Sequence, residues 1–213
     1  MDFKNAIFDL DGTLLDSMYY WRHIAFEFLN RIGISDIPEA LKQKAVYMYT
    51  RQALLFIKQE LNIEAEFKFT PQEGFALMKP HYISGIVPKE NAVEFLKKLK
   101  NDGIKTCLAT ATDRDTFMPA LERLGMTGLF DGIVTTLEVG KSKNHPDVFD
   151  KALSMLGGTK ENTVIFEDAS YSIRTAVENG YRVWAIEDEY ERDHKDEIIA
   201  LSERYIKNYN EII

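Results

Sequence analysis

Short apolar runs that alternate with helical patterns are the feature that most constrains the fold of this 213-residue chain. Runs of this length that are continuously apolar are typical of strands covered on both faces of a parallel sheet. Between them, apolar residues recur at helical spacing, as Val93, Leu96 and Leu99 do ahead of Gly103. The alternation predicts an α/β fold, a doubly wound parallel sheet with a Rossmann-like core. The predicted strands are residues 6–8, 106–109, 132–135, 164–166 and 182–186.

The segment from residue 16 to residue 82 breaks this alternation, because it contains helical patterns and no convincing strand. Its first helix carries an apolar stripe that includes Trp21 and ends at Gly33. A later helix begins at Thr70, where Thr70 and Glu73 have the spacing of a capping box. We therefore predict a helical cap domain over residues 16–82, inserted into a catalytic core made of residues 1–15 and 83–213.

Charge and composition limit the classes of partner. The net charge of -8, from 26 basic and 34 acidic residues, argues against a nucleic-acid partner or an anionic membrane. No apolar stretch approaches the length that spans a bilayer, and the single cysteine, Cys107, lies in an apolar run, as expected in a reducing compartment. We expect a cytoplasmic protein; the sequence gives no signal of an oligomeric state.

Two aspartates follow the first predicted strand, in Asp9-Leu10-Asp11-Gly12-Thr13. In an open α/β sheet, ligands bind beyond the carboxyl ends of the strands. Side chains two residues apart in an extended segment point to the same side, so one carboxylate can attack phosphorus while the other donates a proton to the leaving oxygen. The sequence favours Asp9 as the nucleophile and Asp11 as the general acid and base; the alternative is an Asp-Gly turn that only caps the strand.

A second acidic pair, Glu167-Asp168, follows the fourth predicted strand. If that strand lies near the first, four carboxylates meet at one edge of the sheet. A hard cation with oxygen ligands is then needed to hold them together, and Mg²⁺ is the natural candidate. The alternative is that the acidic pair only favours the amino end of the following helix.

Phosphate ligands are expected at the end of the second predicted strand and in a lysine-containing loop. Thr110 can offer its hydroxyl and the adjacent backbone N–H groups, including that of Ala111. Lys141 and Lys143 can each neutralise a phosphate, and spacing alone does not choose between them.

These stations, in this order, resemble the haloacid dehalogenase-like superfamily, specifically its phosphatase and beta-phosphoglucomutase branch with a helical cap. The resemblance implies a Mg²⁺ ion bound by the Asp9 carboxylate, the Asp11 backbone carbonyl and Asp168, with Glu167 nearby. It also implies that Thr110 and Lys143 hold phosphate, which selects Lys143 over Lys141. The implied activity is hydrolysis of a small phosphate ester through an aspartyl-phosphate intermediate.

Other activities differ at individual residues. Dehalogenases of the superfamily lack the second aspartate, so Asp11 argues for phosphoryl transfer. A beta-phosphoglucomutase resembles this chain more closely, but it presents a histidine from the first cap helix where Trp21 stands here. A non-enzymatic phosphoacceptor module also gathers acids on a doubly wound sheet, but it has no reason to insert a cap. Within the cap, Trp21 and Arg51 are the candidates for contacting the leaving group.

Overall fold

The computed structural model describes residues 1–213 and contains six strands and ten α-helices. The strands are β1 (Asn5–Phe8), β2 (Lys105–Thr110), β3 (Gly132–Thr135), β4 (Thr163–Glu167), β5 (Arg182–Ile186) and β6 (Arg204–Ile206). The helices are α1 (Met18–Arg31), α2 (Glu39–Ala45), α3 (Thr50–Glu60), α4 (Pro71–Ser84), α5 (Ala92–Asn101), α6 (Arg114–Arg123), α7 (Thr136–Val139), α8 (Asp147–Leu156), α9 (Ser170–Glu178) and α10 (Lys195–Leu201).

All six strands form one parallel sheet with the order β3-β2-β1-β4-β5-β6. Alternate residues of β1 face opposite sides, so Phe8 joins one apolar cluster with α5 and α6, and Ile7 joins another with α8 and α9. Both faces of the sheet are therefore covered by helices, which explains why the strands are continuously apolar. The predicted doubly wound architecture is confirmed.

Helices α1 to α4 lie in the chain between β1 and β2 and have an apolar cluster of their own, which includes Phe28, Leu54 and Ile57. Helix α4 begins at the predicted capping box, where Thr70 Oγ1 accepts a hydrogen bond of 3.3 Å from the Glu73 N–H. It continues to Ser84, beyond the predicted boundary at residue 82, and packs against α6. The division into cap and core at those boundaries stays a prediction.

The sequence analysis missed strand β6, which is three residues long and lies at the edge of the sheet. Its Arg204-Tyr205-Ile206 has only one buried residue, so it lacks the apolar run that marks the other strands. No helix in the structure combines the length and apolarity needed to cross a membrane.

Candidate active site

The carboxyl ends of β1, β2 and β4 place the predicted site residues side by side. Phe8 of β1 is paired with Phe166 of β4, and the Asp9 N–H donates a hydrogen bond of 2.9 Å to the Phe166 carbonyl. Asp9 therefore lies level with Glu167. On the other side, β2 is in register with β1 and ends at Thr110. Because β1 is the central strand of these three, its last residues lie between the polar ends of both neighbours.

Lys143 is buried between two carboxylates. Its Nζ donates hydrogen bonds to Asp9 Oδ1 and, at 2.6 Å, to Glu167 Oε1, and only 2% of the residue is exposed. Burial alone would lower the pKa of Lys143, but the carboxylates of Asp9 and Glu167 outweigh burial and raise it. Lys141, in contrast, is exposed and forms an ion pair with Asp147 at 2.9 Å. The structure thus brings Lys143, not Lys141, to the site.

Asp168 is held against the turn that follows Asp9. Its Oδ1 accepts a hydrogen bond of 2.7 Å from the Thr13 hydroxyl. Gly12 packs on the same carboxylate so closely that a Cβ atom there would lie 2.2 Å from Oδ2. Gly12 also has a φ of +87°, a conformation that favours glycine. Thr13 and Gly12 therefore position a carboxylate from the other strand beside Asp9.

Both carboxylate oxygens of Glu167 accept hydrogen bonds within the protein. Its Oε1 accepts hydrogen bonds from Lys143 and, at 2.5 Å, from Ser172. Its Oε2 accepts from the backbone N–H groups of Asp168 and Ala169, each at 2.9 Å. With four donors already bound, Glu167 serves to hold Lys143 and the loop after β4.

The acidic cluster has the composition of a divalent cation site. Single carboxylate oxygens of Asp9, Glu167 and Asp168 lie within 4.8 Å of one another, and all three residues are buried. Burial, together with the neighbouring Glu167 and Asp11 carboxylates, raises the pKa of Asp9 to about 7 despite the opposing effect of Lys143. Burial and the nearby Glu167 and Asp188 carboxylates also raise the pKa of Asp168. Lys143 alone does not neutralise three buried acids, and their oxygen ligands suit a hard cation such as Mg²⁺.

Asp11 accepts hydrogen bonds from three hydroxyl groups. Ser17 donates to Oδ1 at 2.6 Å, Thr112 donates to Oδ2 at 2.6 Å, and the buried Tyr82 also donates to Oδ1. The Trp21 indole N–H in turn donates to the Tyr82 hydroxyl at 3.2 Å. Helix α4 thus fixes the orientation of Asp11 through Tyr82, and Trp21 of α1 acts on Asp11 through the Tyr82 hydroxyl. The sequence analysis did not single out Ser17, Thr112 or Tyr82.

A cavity of about 300 Å³ lies between these residues and helices α1, α3 and α4. The cavity is lined by all the site residues that were predicted at the strand ends and in the lysine-containing loop: Asp9, Asp11, Thr110, Ala111, Lys143, Glu167 and Asp168. Of the two predicted cap residues, Trp21 lines the cavity but Arg51 does not. Arg51 is exposed on α3, whereas the arginine that lines the cavity is the buried Arg22 of α1. Arg51 therefore lies away from the cavity, and its contact with a substrate stays a prediction.

The model of the haloacid dehalogenase-like hydrolase family matches residues 6–186. Among curated relatives, the beta-phosphoglucomutase of Bacillus subtilis is 31% identical over 80% of this chain and 77% of its own length. A putative pyrophosphatase PpaX of Caldanaerobacter subterraneus is 31% identical over 87% of this chain and 82% of its own. The chain belongs to the haloacid dehalogenase-like hydrolase family, and it is an enzyme of the phosphatase type.

Solved structures agree on the fold. The structure of a predicted phosphoglycolate phosphatase from Haemophilus somnus covers 100% of this chain and 97% of its own, with a TM-score of 0.78 and 18% identity. CbbY of Rhodobacter sphaeroides, solved in complex with xylulose-(1,5)-bisphosphate, covers 99% of this chain and 96% of its own, with a TM-score of 0.77 and 19% identity. At these identities the likeness extends to the fold alone.

Proposed function

We propose that this protein is a magnesium-dependent phosphatase that hydrolyses a small phosphorylated metabolite through an aspartyl-phosphate intermediate. The observation that carries the proposal is the position of Asp9. It is a buried carboxylate that lines the cavity, in contact with the Lys143 ammonium and close to the Asp168 carboxylate. The Lys143 ammonium offsets the negative charge of the nucleophile as an anionic phosphoryl group approaches, and Asp168 is placed to help hold a cation that would do the same.

In the first step, a carboxylate oxygen of Asp9 forms a bond to phosphorus as the bond from phosphorus to the alcohol oxygen breaks. Asp11 transfers its proton to that alcohol oxygen. In the second step, Asp11 takes a proton from water as the water oxygen bonds to phosphorus and the Asp9 oxygen leaves. Ser17, Tyr82 and Thr112 hold Asp11 in place for both transfers. Phosphate and the alcohol are the products.

Thr110, Ala111 and Lys143 are suited to bind the phosphoryl oxygens, since all three line the cavity beside Asp9. The carboxylates of Asp9 and Asp168, with the Asp11 carbonyl, would hold Mg²⁺. The bound cation supplies positive charge that stabilises the charge developing on the phosphoryl group.

The alternative activity is that of a beta-phosphoglucomutase, which transfers phosphate within a sugar. No observation favours it over hydrolysis. In place of a cap histidine, the chain has Trp21, whose indole N–H reaches Asp11 only through the Tyr82 hydroxyl. Conversion of beta-glucose 1-phosphate to glucose 6-phosphate without phosphate release would favour the mutase.

The test is release of inorganic phosphate from a generic aryl phosphate and a panel of phosphorylated metabolites, with Mg²⁺ and with a chelator. We expect multiple turnovers that require Mg²⁺. Asp9→Asn removes the nucleophile with almost no change in side-chain volume, so it should lower kcat by a factor of about 1,000 or more while the protein stays folded. Asp168→Ala should raise the Mg²⁺ concentration needed for half-maximal rate. Wild-type turnover by a folded Asp9→Asn variant would contradict the assignment.

A further inference from the structure

The cap side of the cavity has a polar part, formed by Arg22, Tyr49 and Thr50, and an apolar, largely aromatic wall. The apolar wall comes from Met18 and Trp21 of α1, Phe75 of α4, and Phe69 and Pro71 at the start of α4. The Trp21 and Phe75 rings meet edge to face, with centroids 6.2 Å apart. These side chains line the same cavity as Asp9 and are available to contact the leaving group of a phosphate ester.

Gly74, in the first turns of α4, allows this arrangement. A Cβ atom at residue 74 would lie 3.1 Å from Phe69 Cζ and 3.8 Å from Trp21 Cζ3. Glycine inside a helix is unfavourable compared with alanine, but here it leaves space for two aromatic rings at the cavity wall. The cap therefore presents ring faces and edges that suit a flat apolar group.

Two basic residues line the cavity, and neither is free to bind a second anion. Lys143 lies between Asp9 and Glu167. Arg22, which is 3% exposed, forms an ion pair of 3.4 Å with Glu191, and its guanidinium lies 4.5 Å from the centre of the Tyr49 ring. The positive charge of Arg22 is matched by Glu191, and that of Lys143 is shared by two carboxylates and the phosphoryl group it is proposed to bind, so neither residue offers a counter-charge to a second anion.

Glu191 holds Arg22 in this ion pair. It is also buried, and it lines the cavity. Its carboxylate accepts hydrogen bonds from the Tyr49 hydroxyl at 3.0 Å and from the Ser170 N–H at 3.2 Å. If Arg22 turned to an anionic substrate group, Glu191 would remain as a buried carboxylate without its arginine counter-charge, which is strongly unfavourable. Arg22 does keep one unpaired buried donor, Nε, which suits an uncharged acceptor oxygen.

We propose that the leaving group of the physiological substrate is an uncharged alcohol that carries one flat, apolar ring. This inference rests on the proposed phosphatase function and narrows its substrate class. A cavity of about 300 Å³ lies at the lower end of small-molecule sites, roughly 300–1,000 Å³, which fits a phosphate and a single ring. A leaving group that carries a phosphate or a carboxylate would find no counter-charge on the cap side of the cavity; inorganic pyrophosphate is one such substrate.

The test compares matched benzyl phosphates, whose primary-alcohol leaving groups are alike. Glu191 and the apolar wall predict that 4-carbamoylbenzyl phosphate has a kcat/KM at least about tenfold above that of 4-carboxybenzyl phosphate, mainly through KM. Benzyl phosphate should exceed cyclohexylmethyl phosphate by a factor of about 2 to 10, the gain expected from aromatic contacts. The inference would be overturned if 4-carboxybenzyl phosphate were hydrolysed as well as or better than 4-carbamoylbenzyl phosphate, or cyclohexylmethyl phosphate as well as or better than benzyl phosphate. Either result would leave the phosphatase assignment intact.

Glu191→Gln provides a second, independent measurement. It keeps the size of the side chain and removes the negative charge that is paired with Arg22. It should therefore raise kcat/KM for 4-carboxybenzyl phosphate relative to 4-carbamoylbenzyl phosphate. An unchanged ratio in a folded Glu191→Gln protein would overturn the role given to the ion pair. If wild-type protein with Mg²⁺ releases phosphate from none of these esters and from no generic aryl phosphate, both this inference and the proposed function fail.

Discussion

The Thr13 hydroxyl donates a hydrogen bond of 2.7 Å to Oδ1 of Asp168, and both residues are almost completely buried. This bond joins the turn after β1 to the loop after β4. It fixes the direction of a carboxylate that is proposed to bind Mg²⁺. Removing a group that orients a metal ligand in this way commonly lowers metal affinity by a factor of about 10 to 100.

Thr13→Val removes the hydroxyl and keeps the shape of the side chain. We expect the Mg²⁺ concentration for half-maximal activity to rise by a factor of about 10 to 100, with a smaller change in kcat at saturating Mg²⁺. The matched control is Thr106→Val. Thr106 is also buried and donates to the Leu129 carbonyl, but it lies near the amino end of β2, away from the site at the carboxyl ends of the strands. A Mg²⁺ dependence shifted equally in both variants would contradict the role of Thr13.

Lys143 and Lys141 allow a buried and an exposed charge in the same loop to be compared. Lys143→Met leaves the buried Asp9 and Glu167 carboxylates without their ammonium partner. Losing one partner of a buried ion pair costs about 3–5 kcal/mol, so we expect a loss of that size in the free energy of unfolding at pH 8, together with loss of turnover.

Lys141→Met removes an exposed ion pair with Asp147, which contributes about 1 kcal/mol or less. Urea unfolding of both variants without Mg²⁺ measures the difference. Equal midpoints for the two variants would show that Lys143 is not buried between the carboxylates.

The raised pKa of Asp9 predicts a pH-dependent response to Mg²⁺. An acid whose pKa rises from 3.8 in the unfolded chain to about 7 in the folded protein binds its proton more tightly when folded. Its contribution to stability is therefore fully present below 3.8 and is lost as the pH rises through about 7. Metal binding must displace that proton, so Mg²⁺ affinity should increase across the same range.

Thermal unfolding with and without Mg²⁺ measures this effect. We expect the increase in Tm caused by Mg²⁺ to be larger near pH 8 than near pH 5. Asp9→Asn, which has no titrating group at residue 9, serves as the control and should reduce this dependence. A wild-type increase in Tm that is the same at both pH values would contradict the assignment of Asp9 as a titrating metal ligand.

Most of the site residues that lie at the edge of the sheet could be predicted from the ends of the apolar runs in the sequence. Asp9, Thr110, Glu167 and Asp168 directly follow or end apolar strands, and parallel strands bring their carboxyl ends to one edge. Lys143 lies in a loop, so spacing alone did not separate it from Lys141. Its burial between two carboxylates, a consequence of tertiary packing, makes the distinction.

The cap side was harder to predict, because helical periodicity gives a buried face but not what that face contacts. Tyr82 has the pattern of a core aromatic residue, and only the packing of α4 against the core brings its hydroxyl to Asp11. Glu191 belongs to an acidic segment, residues 187–197, that shows no periodicity, yet it is the buried partner of Arg22. Arg51 was predicted as a substrate residue by residue type alone, and it lies outside the cavity.

Gly12→Ala separates a steric requirement from a conformational one, because Gly33 has the same φ of +87°. Alanine in such a conformation is strained by about 1–2 kcal/mol, and Gly33→Ala should cost that much, since nothing lies within 4 Å of its added Cβ. Gly12→Ala adds a clash with Asp168 Oδ2 at 2.2 Å, so it should be less stable than Gly33→Ala and should also lose its response to Mg²⁺. Urea unfolding and Mg²⁺ titration of both variants measure these effects. Equal destabilisation with an intact Mg²⁺ response would mean that Asp168 does not pack against this turn.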